Sequence, residues 1–292
     1  MNKKIRPIHH LVFLGPSCLI FALIVAAPFF VSLFYSLTDW NGISRDMNFV
    51  GLQNYLSVFS RDTRFFQSFS FTIKISIVIV FLTNVIGIAL AALLTNRFRG
   101  SSLFRAIFFL PNTMGGVVMG YIWRFIFLLV VQQLGNIFSW SVFSLPWLGT
   151  EGTAFTALVI VSVWQGVGYV MVIMIAALSG VPQELIEVAK IDGASAWRTF
   201  WQVKIPICMP YITVCLFWTI SSTLKMFDVN VALTKGGPYG SSTSLALQIY
   251  NDAFTGNSYG RASAEATIFF ILIFSITMLQ LTLTRRKEKQ YQ

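Results

Sequence analysis

The sequence predicts an all-α integral membrane protein with six transmembrane helices. Of the 292 residues, 55% are apolar and only 11% are charged, whereas a soluble domain is roughly a quarter charged. Six stretches are each long and apolar enough to cross a bilayer core, which needs about 20 residues. The basic residues are concentrated between these stretches. Most of the chain is therefore predicted to face lipid.

Two of the six windows contain helix-breaking residues. Pro111, Asn112 and the pair Gly115-Gly116 interrupt the third, and the fifth begins at a proline-rich entry. No stretch has the composition of a separate soluble domain, so we expect one transmembrane domain over residues 1–292. The windows cover residues 11–37, 70–95, 104–131, 154–179, 206–227 and 262–284.

The lysines and arginines between the windows predict the orientation of the chain, because cytoplasmic loops keep an excess of both. With the N-terminus inside, thirteen of the 21 basic residues lie in inner segments and five in outer segments. Both termini are therefore predicted to be cytoplasmic. The inner set is Lys3, Lys4, Arg6, Arg97, Arg99, Arg105, Lys190, Arg198, Lys204, Arg285, Arg286, Lys287 and Lys289.

Several classes of function lack support in the sequence. No G-x-x-x-x-G-K-[ST] phosphate loop occurs, so we expect no ATP hydrolysis by this chain. The two histidines, His9 and His10, precede the first window, and the cysteines lack metal-ligand spacing, so neither a catalytic nor a metal site is expected. The basic residues behind the net charge of +10 lie at the ends of apolar runs and not on one amphipathic face. The charge therefore indicates membrane topology and not nucleic-acid binding. Glu265 alone among the acidic residues is near a helix interior, which gives ion coupling little support.

Residues 181–210, between predicted helices 4 and 5, form the one extended amphipathic stretch on the predicted cytoplasmic side. The segment reads VPQELIEVAKIDGASAWRTFWQVKIPICMP. Pro182 suits the first position of a helix and Glu184 its first turn. Gly193 predicts the end of that helix by a left-handed turn, and Ser195 suits the N-cap of a second helix. Two short helices are predicted to meet at a glycine bend.

Two interpretations of this helix pair remain open on pattern alone. Trp197, Phe200 and Trp201 suit helices that lie on the membrane with their rings at headgroup depth. The glycine bend and the acidic Glu187 beside an apolar face favour a knob that docks into the cleft of a partner protein.

The same segment resembles the signature of bacterial ABC importer permeases, E-A-A, three residues, G, nine residues, I-x-L-P. The matching residues are Glu187, Ala189, Gly193, Val203, Ile205 and Pro206. In that family the segment is the coupling helix pair, which sits in a groove of the ATPase subunit. The resemblance implies the type I importer fold and an ATPase contact made by Glu187, Ala189, Gly193, Ala194 and Pro206.

Five further motifs, in order along the chain, look like the carbohydrate-uptake subclass of these permeases. They are Phe49-Val50-Gly51-Leu52-Gln53-Asn54-Tyr55, Phe109-Leu110-Pro111, Val163-Trp164-Gln165, Gly236-Gly237-Pro238 and Gly260-Arg261-Ala262-Ser263-Ala264. The resemblance implies a multi-pass subunit of the bacterial inner membrane, surrounded by lipid. Its implied partners are a second homologous permease, two cytoplasmic ATPase subunits that bind ATP and Mg, and an extracytoplasmic sugar-binding protein. No cofactor is expected on this chain.

Similarity to the maltose-type permeases places a sugar midway through the bilayer against helices 3, 4 and 5. For each residue, helix-to-helix bonding is the competing interpretation. None of these residues is a lysine or arginine, which weakens the case for a substrate that carries a phosphate group. The matching positions are Asn112, Gly116, Ser162, Gln165, Gly166, Tyr169, Thr219 and Thr223.

The expected function is therefore ATP-driven import of sugars, with oligosaccharides expected and glycerol phosphate or a polyol as the alternative. Two rival hypotheses belong to other classes. One is a secondary carrier or channel that acts alone, and the other is a membrane anchor with a docking loop and no pore.

Overall fold

The computed structural model describes residues 7–61, 63–96, 99–138 and 140–288, and these contain helices and no β-strand. Four π-helical segments, Ala22–Ala26, Ile126–Val130, Phe200–Lys204 and Asn251–Thr255, continue or connect α-helices. The α-helices are α1 Pro7–Phe21, α2 Ala27–Tyr35, α3 Gln53–Arg61, α4 Thr63–Leu94, α5 Ser101–Thr113, α6 Gly116–Phe125, α7 Val131–Phe138, α8 Glu151–Ser179, α9 Gln183–Ile191, α10 Ala196–Thr199, α11 Ile205–Ile207, α12 Met209–Leu224, α13 Asp228–Leu233, α14 Leu245–Tyr250 and α15 Tyr259–Glu288.

Within the described residues, five helical spans are long and apolar enough to cross a membrane, and a sixth is added if one bent pair counts as a span. The bent pair is Ala196–Ile207 with Met209–Leu224, which meet at 73°. The prediction of six transmembrane helices agrees with the larger count. The five spans are Phe13–Tyr35, Arg64–Leu94, Gly116–Phe138, Glu151–Ser179 and Tyr259–Arg286.

The third predicted window is not one helix. Helix α5 ends at Thr113, Met114 is extended with φ −85° and ψ 138°, and α6 begins at Gly116. The candidate span is accordingly Gly116–Phe138, which lies further along the chain than the predicted window 104–131. A side-chain hydrogen bond to the unwound backbone, described below, stabilises this break, which lies directly before the span.

The fifth window also differs from its prediction, because α12 has only 16 residues and follows a bend at Cys208. Proline lacks an N–H group and its ring clashes with the preceding turn. Pro206 and Pro210 flank this bend, and each lies in the first turn of a helix, where its missing N–H costs no hydrogen bond. The predicted window 206–227 is therefore bent at its proline-rich entry.

The chain forms two compact units, Met1–Thr63 with Ile249–Phe270 and Arg64–Gln248 with Ile271–Gln292. The single transmembrane domain over residues 1–292 stays a prediction. The orientation also stays a prediction, and five residues that support it, Lys3, Lys4, Arg6, Arg97 and Lys289, lie outside the described residues.

In the first unit, two motif residues fix the turn that follows α2. The Asn54 side-chain amide donates to the carbonyl oxygens of Ser36 (2.8 Å) and Thr38 (2.7 Å). The Tyr55 hydroxyl lies 2.7 Å from the Ser36 hydroxyl. The motif at residues 49–55 thus has a structural role in closing this turn.

The first unit also contains the buried acid that the sequence singles out. Glu265 is fully buried and accepts a hydrogen bond from Arg261, with Nε 3.2 Å from Oε1. A second nitrogen of Arg261 lies 3.9 Å from an Asp252 oxygen. The buried carboxylate is therefore ion-paired, as a charge in an apolar helix must be.

Helix α8 is the most buried of the five spans and the centre of the second unit. It packs on α5 where Gly168 meets Phe108. An added Cβ at Gly168 would overlap the carbonyl oxygen of Phe108. Glycine is required here because the two helix backbones approach this closely.

We expect Gly168→Ala to destabilise the protein by about 1–3 kcal/mol, since the helices must separate to admit a methyl group. The measurement is the midpoint of thermal denaturation in detergent. Gly152→Ala on the same helix is the control, because a Cβ there meets nothing within 4 Å. Equal midpoints for the two variants would contradict the close approach at Gly168.

Candidate functional site

A cavity of about 410 Å³ lies in the second unit, among α4, α5, α6, α8, α12 and α13. Its volume is within the range of pockets that hold small ligands. Seven of the eight residues predicted to contact substrate line it, although they come from distant parts of the sequence. Their role as substrate contacts stays a prediction. The seven are Asn112, Gly116, Ser162, Gln165, Gly166, Thr219 and Thr223.

The unwound turn between α5 and α6 belongs to the wall of this cavity. Gln165 Nε2 of α8 donates to the Met114 carbonyl oxygen at 3.0 Å. Asn112 Nδ2 donates to the backbone oxygen of Gln165 at 3.3 Å. A buried backbone carbonyl without a partner is unfavourable, and Gln165 supplies that partner to Met114. The side-chain oxygens of Asn112 and Gln165 accept no hydrogen bond from the described residues and keep their acceptor capacity.

Five hydroxyl side chains line the cavity, and three of them already donate within α12. Thr219 donates to the Cys215 carbonyl (2.9 Å), and Ser222 (3.2 Å) and Thr223 (2.8 Å) donate to that of Thr219. The other two, Thr83 and Ser162, have buried hydroxyl oxygens without a partner in the described part of the chain. The five hydroxyls therefore differ in what they can offer a ligand.

The sequence pattern missed both aromatic residues of this wall, Trp218 and Phe227. Tyr169, predicted as the plane for a sugar ring, is not among the lining residues. Its ring stacks on Trp218 with the centroids 4.0 Å apart and an interplanar angle of 24°, and Trp218 does line the cavity. The cavity therefore meets the indole, and Tyr169 supports it from the other side.

Two charged residues also line the cavity and were not predicted there. Lys225 follows the last residue of α12, and Asp228 begins α13 beside Gly116. Neither forms an ion pair with another described residue. The spacing of Trp218, Ser222 and Lys225 by four and three residues puts them on one helical face. This signal groups Trp218 with Lys225 but does not tell which way the face points.

The predicted helix pair at 181–210 is present, with its first helix at Gln183–Ile191 and a turn at Gly193. Pro182 precedes that helix as its N-cap residue, one position earlier than predicted. Gly193 has φ +76°, and the Ala194 N–H donates to the Ala189 carbonyl at 2.9 Å. This left-handed closure is a Schellman motif. Three of the five residues predicted to contact an ATPase thus form one turn.

The second helix begins as predicted, and both helices expose apolar side chains. The Ser195 hydroxyl accepts from the Arg198 N–H at 3.2 Å. Ile191 is 84% exposed and Trp197 is 72% exposed. Glu187 is exposed and forms no ion pair or hydrogen bond within the described ranges. Pro206 is half-buried in α11, near the bend at residue 208.

The family model described as binding-protein-dependent transport system inner membrane component matches residues 83–289. The match covers the helix pair, every cavity-lining residue except Ile79, and more than half of the chain. The chain belongs to this family of permeases. The family is a transport subunit of the inner membrane, and the candidate spans agree with that localisation.

Two curated relatives match the permease over nearly their whole length. A probable starch degradation products transport system permease of Thermoanaerobacterium thermosulfurigenes is 39% identical, over 95% of this chain and 94% of the relative. A multiple sugar-binding transport system permease of Streptococcus mutans is 35% identical, over 89% and 90%. The relationship therefore extends beyond the signature segment.

A solved structure shows the same fold as this permease. It is a chain of a bacterial ABC transporter involved in the import of the acidic polysaccharide alginate. The TM-score is 0.81 at 17% identity, over 96% of this chain and 95% of that chain. The predicted importer permease fold is thereby confirmed.

We expect Gln165→Leu to destabilise the permease by about 1–3 kcal/mol, because the Met114 carbonyl loses its donor. Ser162→Ala, three residues away on the same helix, should leave stability unchanged or slightly raised, since its hydroxyl has no partner among the described residues. Thermal denaturation in detergent compares the two. A loss for Ser162→Ala as large as that for Gln165→Leu would contradict the assignment of these bonds.

Proposed function

We propose that this permease forms half of the translocation pathway of an ATP-driven importer of oligosaccharides. The cavity is the observation that carries the proposal. A sugar ring has an apolar face and a rim of hydroxyls, and the cavity offers the Trp218 plane, two amide side chains and several hydroxyls. The sugar substrates in the names of the two relatives support the same class.

In this proposal Trp218 is the plane on which a sugar ring packs. An aromatic ring contributes a large apolar surface with a defined orientation. The stacked Tyr169 ring holds the indole in place. Asn112 and Gln165 then accept hydrogen bonds from sugar hydroxyls through oxygens that the fold leaves unused, and Gly166 leaves room beside them.

The proposal assigns energy coupling to the helix pair α9 and α10, docked in a groove of an ATPase subunit. Exposed Ile191 and Trp197 supply the apolar anchor, and Glu187 supplies a charge that orients the contact. The Schellman turn at Gly193 gives the pair a fixed shape. Closure of the ATPase dimer would push these helices and turn the bundle from inward-open to outward-open.

The proposed assembly contains this permease, a second homologous permease, two ATPase subunits and an extracytoplasmic sugar-binding protein. The family description, which names binding-protein-dependent transport, supports the last of these. ATP and Mg are proposed to bind to the ATPase subunits, with no cofactor on this chain.

One observation favours a second candidate substrate, glycerol phosphate. Lys225 lines the cavity with no ion-pair partner among the described residues, and an ammonium group binds phosphate as a point charge. Asp228 in the same wall opposes an anion. We therefore rank glycerol phosphate, and a polyol with it, below an oligosaccharide.

We expect the complete transporter in proteoliposomes, with its binding protein, to accumulate labelled maltotriose only when ATP is supplied. Trp218→Ala should lower the uptake rate about tenfold or more, because the sugar loses its aromatic contact. Tyr169→Ala should lower the rate less, because Tyr169 acts through Trp218.

Competing sn-glycerol 3-phosphate should leave maltotriose uptake unchanged. If wild-type protein transports labelled glycerol phosphate instead, and Lys225→Gln abolishes that transport, the second candidate replaces the first. ATP-independent uptake would support a carrier that acts alone.

For coupling, we expect Glu187→Lys to assemble weakly with the ATPase and to lose about tenfold or more of the ATP hydrolysis stimulated by sugar-loaded binding protein. A reversed charge in an interface costs several kcal/mol. Glu184→Lys, also exposed on α9, is the matched control and should keep most of the stimulation. Normal stimulation in Glu187→Lys would remove this residue from the coupling contact.

A further inference from the structure

We propose that Thr83 binds a hydroxyl group of the transported sugar and contributes to substrate selection. The proposal rests on the proposed sugar-import function and adds a residue from α4, which the sequence pattern did not assign to the site. Thr83 lines the cavity and is only 1% exposed. Its hydroxyl has no hydrogen-bond partner among the described residues.

An unpaired threonine hydroxyl is unusual inside a helix. Such a hydroxyl normally donates to the carbonyl four residues earlier. Thr72 on the same helix does so to Ser68 at 2.7 Å, and Thr219 across the cavity does so to Cys215 at 2.9 Å. Thr83 makes no such bond within the described residues, so its hydroxyl can still donate and accept a hydrogen bond.

Packing holds Thr83 beside α8. Its methyl carbon lies 3.1 Å, and its hydroxyl oxygen 3.7 Å, from the position that a Cβ on Gly166 would occupy. The neighbouring Asn84 donates to Thr219 of α12 at 3.0 Å, which fixes the rotation of α4. Any side chain at residue 166 would therefore press on Thr83 at the cavity wall.

A valine would fill the same volume without burying a polar group, and a buried polar group that finds no partner is unfavourable. The hydroxyl at this position is therefore explained if a ligand in the cavity supplies its hydrogen-bond partner. A sugar hydroxyl can accept from Thr83 and donate to it. Ser76 and Thr277 also have unpaired buried hydroxyls but do not line this cavity, so they serve as controls.

The test is the equilibrium binding of maltotriose to the purified permease–ATPase complex in nanodiscs, measured by saturation-transfer NMR. Omitting the binding protein ensures that the measured affinity belongs to the membrane complex. We expect Thr83→Val to bind about tenfold more weakly, the value of one neutral hydrogen bond. Thr83→Ser and Thr277→Val should bind like the wild type. If Thr83→Val fails to assemble, Thr83→Ala takes its place.

Mono-deoxy maltotrioses separate a direct contact from a structural role. The analogue that lacks the hydroxyl bound by Thr83 should bind to the wild type about tenfold more weakly than maltotriose does. In Thr83→Val, this analogue and maltotriose should bind equally well, because the contact is already lost. Two outcomes would overturn the role of Thr83 and leave the proposed function standing. One is wild-type affinity in Thr83→Val, and the other is that each analogue loses the same affinity in both proteins. A wild type that neither binds nor transports maltotriose would overturn the proposed function and this inference with it.

Discussion

Buried, unwound backbone must find its hydrogen bonds within the protein, and the cavity depends on how this chain meets that requirement between α5 and α6. Between Thr113 and Gly116 the helix is interrupted, and the Gln165 side chain supplies the donor for the Met114 carbonyl. The same amide group therefore maintains the break and leaves its oxygen beside the cavity.

The break also separates two tightly packed contacts. Gly168 of α8 lies against Phe108 on the α5 side, and Gly120 of α6 lies against Ala232 of α13, where an added Cβ would come within 2.6 Å of another Cβ. The helices on the two sides of the break, α5 and α6, are thus each fixed to a different partner helix. Residues of both packed pairs line the cavity, which explains why helices distant in sequence contribute to one wall.

The helix pair at 181–210 follows a different constraint, which is local. Its closure depends on the Ala194 to Ala189 hydrogen bond and on a left-handed residue at 193, both of which are set by a few neighbouring residues. The shape is therefore fixed without help from distant contacts. A surface with a fixed shape, exposed Ile191 and Trp197 and a Glu187 that pairs with no described residue has the features that the proposed docking to an ATPase needs.

The sequence by itself determined the features that depend on neighbouring residues: the apolar windows, the glycine turn at residue 193 and the N-cap at Ser195. Each follows from length, helical period or backbone conformation, which are local properties. The tertiary structure alone decided that Trp218, and not Tyr169, meets the cavity, and that Thr83 and Lys225 join it.

Helical spacing gives the face on which a residue lies, but not the direction in which that face points. Contacts between distant helices set this rotation, as the bond from Asn84 to Thr219 does for α4. The six matching motifs therefore predicted the family correctly, and the residue pattern at 181–210 predicted the helix pair, whereas the composition of the cavity wall required the packed structure.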